Sequence, residues 1–253
     1  MLYVICHCLH IIKGSIKLSS VDSLVFDEAD RMLDMGFIDE IKRILRHVPR
    51  DRQTLLFSAT FSHDVLNLSH QWTQDPVTVE IEPESVATDT VEQIGYLVTD
   101  HEKLILIKNV LKQEEFQSVI IFANRRDSTR RLCEKLQKSG VKVGMLSGEV
   151  AQHKRTRTLE DFKTGKINVL VATDVAGRGI HIDGVTHVIN YQLPDDPDDY
   201  VHRIGRTGRA GASGTSICFA CEDDSFMIPE VEAETGVKLE CVHPDEDLLA
   251  ELN

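Results

Sequence analysis

Three short stretches hold residue types that could do chemistry together. Asp27-Glu28-Ala29-Asp30 places three carboxylates in four residues. HRIGRTGR, His202 to Arg209, places three arginines and a histidine in eight, spaced by Gly205 and Gly208. Ser58-Ala59-Thr60 offers two hydroxyls. An acid at a strand end can hold Mg²⁺ through water beside a nucleotide's phosphates. A second acid next to it can orient or deprotonate an attacking water. Arginine grips phosphate or carboxylate in a planar, bidentate way, and glycine lets a backbone approach closely. Blander readings stand beside these. Acids gather at helix N-termini because the macrodipole favours them, hydroxyls cap helices, and a basic turn can simply pair with nearby acids.

The surrounding pattern says what positions these residues. VDSLVF (Val21–Phe26) reads as a buried strand running into Asp27, and QTLLFSA as a strand ending at Ser58. GFIDEIKRILRHV and HDVLNLSHQW have helical spacing between strands, and PVTVEI reads as a further strand. Residues 83–90 are polar and aperiodic, which predicts a linker. After it the alternation restarts. EQIGYLV, SVIIFA, VKVGML, INVLVAT, VTHVINY and TSICFA read as strands. HEKLILIKNVLK, RDSTRRLCEKLQKSG and HKRTRTLEDFKTG read as helices between them. Such alternation predicts an α/β fold: parallel sheets covered on both faces, in two domains. Ligands of such sheets bind outside the carboxyl ends of the strands, where Asp27, Ser58, Asn124, Thr173 and Asp174 fall.

Composition narrows the class. The 253 residues suit one large or two ordinary domains. The net charge of −13 is uneven: residues 222–253 hold eleven Asp or Glu and one Lys, and the rest carries 30 acidic against 27 basic residues. A near-neutral body can still hold a basic groove, so nucleic acid is not excluded, while the end reads as a solvated acidic extension. The six cysteines form no paired framework. Cys218-Phe-Ala-Cys221 reads as buried strand rather than a metal or redox pair, and free thiols imply the reducing cytoplasm. No apolar run is long enough for a membrane span.

DEAD, SAT, VIIFANRR, QHKR, VATDVAGRGIHI and HRIGRTGR occur here in one order. In that order and approximate spacing the chain resembles the DEAD-box ATP-dependent RNA helicases, from about Val21 onward. Within that family its wording is most similar to the bacterial RhlB type, including His181 where most members carry Asp. The resemblance implies two RecA-like parallel-sheet domains, with ATP and Mg²⁺ as cofactors and RNA as a largely sequence-independent partner. It implies that Asp27 holds Mg²⁺ through water and that Glu28 activates the hydrolytic water. Asp30, Ser58 and Thr60 would couple the nucleotide site to the second domain through His202. Arg206 and Arg209 would reach the γ-phosphate, with Gly179 also at the nucleotide. Phe122, Arg125, Gln152, Arg155, Thr173, Asp174, Gly177 and Arg178 would serve RNA or interdomain contacts. A ribonuclease E-type degradosome scaffold is the implied protein partner.

The sequence also departs from the family. Only 26 residues precede Asp27, and no GxxxxGK[ST] phosphate loop occurs. Residues 1–82 are therefore expected to be a C-terminal remnant of the ATP-binding domain with an open apolar edge. Residues 91–221 are expected to be a complete second domain, followed by the acidic extension at 222–253. The expected activity is that of a helicase in family terms, with this chain an inactive partial copy. The alternatives are an RNA- or protein-binding module built on the second domain, a non-functional fragment, and a DNA-acting relative of the same superfamily.

Overall fold

The computed structural model describes residues 10–11, 13–34, 36–58, 60–80, 90–113, 116–177, 182, 184–208 and 212–250. The chain divides into two compact units, Met1–Glu82 and Pro83–Asn253. The predicted linker and Cys6-His7-Cys8 lie largely or wholly outside the described residues.

In the first unit β1 (Ser23–Phe26) pairs in parallel with β2 (Gln53–Leu56), with Ser23 opposite Gln53 and Phe26 opposite Leu56. Helices α1 (Ala29–Asp34), α2 (Ile38–Leu45) and α3 (His63–Trp72) accompany them. Ser62 caps α3 by accepting from the Val65 amide at 3.4 Å. Phe26, Ile41, Leu68 and Trp72 form a small core, with the Phe26 and Trp72 rings 4.8 Å apart. VDSLVF is not uniformly buried as predicted: Val25 is 53% exposed, as is Phe57 just past β2. A two-stranded sheet with its helices on one side leaves apolar side chains on the other face uncovered.

PVTVEI also departs from expectation. Residues 76–80 form no strand, and Val77 is 88% exposed. A strand needs a neighbouring edge to satisfy its amides, and none among the described residues pairs with it.

The second unit holds a seven-stranded, all-parallel sheet in the order β5-β6-β4-β7-β8-β3-β9. The strands are β3 (Val91–Leu97), β4 (Val119–Phe122), β5 (Val143–Leu146), β6 (Val169–Ala172), β7 (His187–Asn190), β8 (Gly214–Ala220) and β9 (Cys241–Val242). β4, β6 and β7 are buried at every position, as a sheet covered on both faces requires. Alternate residues serve opposite cores. Val119, Ile121, Val171 and Ile189 pack with α4 (Asp100–Val110) and α5 (Arg126–Lys138). Ile120, Phe122, Leu170 and Val188 pack toward α6 (Gln152–Lys163). On the flank, Cys218 and Ala220 meet Tyr200 and Ile204 of α8 (Pro197–Ile204). The short α7 (Asp174–Gly177) follows β6 directly. No helix among the described residues is long and apolar enough to cross a membrane.

The acidic end is not a solvated extension. It folds into α9 (Ile228–Thr235), β9 and α10 (Glu246–Leu249). β9 joins the sheet beside β3, with Gly95 opposite Cys241. Met227, Val231 and Leu239 enter the core, and Asn109 donates to the Leu248 carbonyl at 2.8 Å. The acids lie between apolar residues whose spacing drives this packing; total charge hides that spacing. Cys218 stays a free, buried thiol, its pKa pushed up to about 11 by burial, which suits a packing residue rather than a reactive one.

Candidate functional site

The acid-bearing loop of the first unit follows β1, where the sequence placed it. Asp27 is exposed and Glu28 half-exposed. Glu28 has φ +55°, a left-handed conformation that costs a non-glycine residue about 1 kcal/mol or more. This turn carries the chain from β1 into α1, and the Ala29 amide donates to the Phe57 carbonyl at 3.0 Å across the strand ends. Asp30 then closes a network with the loop after β2. One carboxylate oxygen accepts from the Thr60 amide at 2.9 Å and the Thr60 hydroxyl at 3.1 Å. The other accepts from the Arg31 amide at 2.9 Å. The Asp30 amide donates to Ser58 Oγ at 3.1 Å, and that hydroxyl donates to the Thr60 carbonyl at 2.7 Å. The three residues predicted to act as a set are thus brought together.

Partial burial by itself would raise the Asp30 pKa, but the bonds from Thr60, Arg31 and Ser58 outweigh it and hold the carboxyl below its ordinary 3.8. A depressed folded-state pKa contributes stability that is present above the unfolded value and lost as pH falls through the folded one. The first unit is therefore expected to lose stability below pH 3.8 more steeply than Asp30→Asn does. Urea unfolding at a series of pH values checks this, and parallel curves for the two proteins would refute it.

In the second unit the site is organised by a residue the sequence reading passed over. Arg203, the first arginine of HRIGRTGR, sits in α8 with its side chain 1% exposed. All five of its N–H groups are used. Nε and one terminal nitrogen grip both Asp174 oxygens at 2.6 and 2.7 Å. The other contacts are Asn190 Oδ1 at 3.0 Å, the Gln192 carbonyl at 2.7 Å and Asn124 Oδ1 at 2.9 Å. The guanidinium lies 5.3 Å from the centre of the Phe122 ring. One side chain thereby joins the ends of β4, β6 and β7 to α8.

This changes the reading of Asp174 and Phe122. Both Asp174 oxygens are engaged by Arg203, and Phe122 is buried beneath it. Within the second unit both side chains are held by their contacts with Arg203. Gly177 is explained by the same packing, because a Cβ there would meet the Phe122 ring at 2.7 Å.

The remaining predicted residues surround this centre. Thr173 is buried at the end of β6, while Arg125 and Gln152 are exposed at the starts of α5 and α6. Arg155 is half-buried and donates to the Ala176 carbonyl at 3.3 Å, tying α6 to α7. His202 and Arg206 border a small pocket with Asp199 and Gly177, and Arg206 Nε donates to the His202 carbonyl at 3.2 Å. After α8 the chain turns at Gly208, φ +67°, where a Cβ would also strike Val91 at 2.6 Å. Arg178, Gly179, His181 and Arg209 lie outside the described residues.

The chemistry available is divided by unit. The first presents exposed acids on a stiff loop, and the second presents Arg206 and His202 on a helix end anchored by Arg203. No group of three or more His, Cys, Asp or Glu that could hold a metal occurs among the described residues. Asp27 is an exposed carboxylate just past a strand end, a position from which a hard cation can be held together with water. Nothing among these residues forms a glycine-rich, lysine-bearing cradle for phosphates.

Comparison with known proteins fits this division. The profile described as DEAD/DEAH box helicase matches residues 4–68, and that described as helicase conserved C-terminal domain matches residues 102–211. The chain is 59% identical over 239 residues to "ATP-dependent RNA helicase RhlB" of Pseudomonas aeruginosa, covering 94% of this chain and 60% of that protein. The protein of the same name from Pseudomonas putida is 58% identical over the same shares. The chain thus spans about 60% of the length of these curated relatives. S. cerevisiae Dbp5 bound to RNA and ADP BeF3 aligns with a TM-score of 0.83 at 31% identity, covering 93% of this chain and 63% of that one. E. coli DEAD-box protein SrmB bound to regulator of ribonuclease activity A aligns with a TM-score of 0.59 at 34% identity, covering 64% of this chain and 96% of that one.

Proposed function

The chain belongs to the DEAD-box family of ATP-dependent RNA helicases, and from that premise we propose that the acids of its first unit and the arginines of its second serve ATP-driven RNA remodelling, a reaction that also needs a phosphate cradle not found among these 253 residues. The observation that carries this reading is the closed set of bonds among Asp30, Ser58 and Thr60, which welds the acid-bearing loop to the hydroxyl-bearing loop. In the proposed division of labour Asp27 holds Mg²⁺ through water and Glu28 takes the proton of the attacking water. Arg206 and Arg209 neutralise charge on the transferred phosphate, and Arg203 keeps their segment in place. A Mg²⁺ ion held there by Asp27 would supply neutralisation of the charge that develops on the phosphate. With no GxxxxGK[ST] loop in these 253 residues, they do not hydrolyse ATP on their own.

The second unit is proposed to bind single-stranded RNA through phosphate and sugar contacts, with Arg125, Gln152 and Arg155 on the binding side. An RNA-decay setting in the cytoplasm, with a ribonuclease E-type scaffold as partner, rests on the similarity to RhlB helicases. Fluorescence anisotropy with two unrelated RNA oligonucleotides tests the binding. Affinities within threefold of each other, falling with added salt and about fivefold weaker in Arg125→Ala, are expected. A hundredfold preference for one sequence, or indifference to salt, would overturn it.

A further inference from the structure

A second cavity, of about 420 Å³, lies at the amino ends of β5 and β6, at the other end of the strands from Thr173 and Arg203. A four-residue strand spans roughly 13 Å, so it is separate from the motif-bearing loops. Its wall is the end of α4 with Lys108 and Lys112, the turn between α5 and β5 with Gly140 and Lys142, and Gly165 and Asn168 before β6. Among the described residues no carboxylate lines it. Among the described residues no hydrogen bond or ion pair engages the three lysine ammonium groups, in a chain with 41 acidic and 28 basic residues.

The ordinary role for such lysines is to complement helix C-termini, and α4, α5 and α6 all end here. The charges do not balance, however. Among the described residues that line it, three helix ends supply about −1.5 elementary charges against +3 from the lysines, leaving a surplus of roughly +1.5. Gly140 and Gly165 hold left-handed turns, and no atom lies within 4 Å of where a Cβ would sit on either. The volume falls in the range of small-molecule sites, and lysine binds phosphate as a point charge.

We propose that this cavity is a site for a small molecule bearing two or more phosphate groups, distinct from the nucleotide and RNA residues at the carboxyl ends of the strands. Leu111 and Val141 give it an apolar wall on which the carbon skeleton of a phosphorylated metabolite could rest.

Calorimetric titration of tripolyphosphate into the full chain tests this, since that probe has no base or sugar. One site is expected, weakened by added salt and at least tenfold tighter than for orthophosphate. Lys108→Ala/Lys142→Ala should weaken it at least tenfold with an unchanged unfolding temperature, and Arg206→Ala less than twofold. A sugar bisphosphate titrated in parallel separates the two sources of the ligand: tighter binding of either probe at the lysine site supports the proposal and names the source. Absence of binding to both probes, or binding indifferent to the lysine variant, would overturn it. So would displacement by single-stranded RNA that itself loses affinity in the same variant, because the lysines would then belong to an RNA track.

Discussion

Replacing Arg203 by alanine is expected to lower the unfolding temperature of the second unit by about 10 °C. The guanidinium satisfies Asp174, Asn190, Asn124 and the Gln192 carbonyl at once, and its removal leaves those acceptors in an interior that water reaches poorly. Breaking a buried ion pair from one side typically costs about 3–5 kcal/mol, because the remaining charge has no partner. In a unit of this size each kcal/mol moves the midpoint by roughly 2–4 °C. Arg203→Lys should recover little. An ammonium has three donors against the five used here and cannot reproduce the two-pronged grip on Asp174. Scanning calorimetry of the three proteins reads this directly, and a drop under 2 °C for the alanine variant would show that the five bonds add nothing net.

Asp224→Ala is expected to cost about 3 kcal/mol or more, and its partner's removal much less. Lys103 is 1% exposed and its ammonium meets Asp224 at 3.1 Å, while the Asp224 side chain is 13% exposed. Asp224 also accepts from the Leu193 amide at 3.1 Å and the Cys221 amide at 2.7 Å. Removing the carboxylate strands a buried ammonium and two amides together. Removing the lysine, as in Lys103→Met, leaves the carboxylate with both amides and some access to water. The double variant should be more stable than Asp224→Ala alone, since the unpaired charge has gone, giving a coupling of about 1–3 kcal/mol. Urea denaturation of the four proteins closes the cycle. A double variant no better than Asp224→Ala would mean that the amides, not the lysine, set the cost.

These two interactions mark where sequence reading stopped. VIIF, VLVA and HVIN were legible as strands because a sheet covered on both faces demands unbroken apolar runs, and all four residues of each are buried. The carboxyl-end rule then placed Asp27, Ser58 and Thr173 correctly at strand ends. Arg203 was hidden because its partners lie 29 and 79 residues away, at the ends of strands that adjoin only once the sheet order is known. No element was assigned to PDDYVHRI, which forms α8 with Asp196 as its N-cap and Pro197 in its first turn. The strand β9 was hidden by charge, since Cys241-Val242 lies in the most acidic part of the chain. PVTVEI misled in the opposite sense, because alternation of valines states a preference that only a neighbouring edge can realise.

The most direct test of the central claim is RNA-stimulated ATP hydrolysis by the 253-residue chain, measured beside Glu28→Gln and Arg206→Ala. All three proteins are expected to show the same background rate, because the 253 residues contain no GxxxxGK[ST] loop to cradle the phosphates. Hydrolysis that rises with RNA and falls in both variants would contradict the account, and would mean that these residues assemble a working nucleotide site without a phosphate loop.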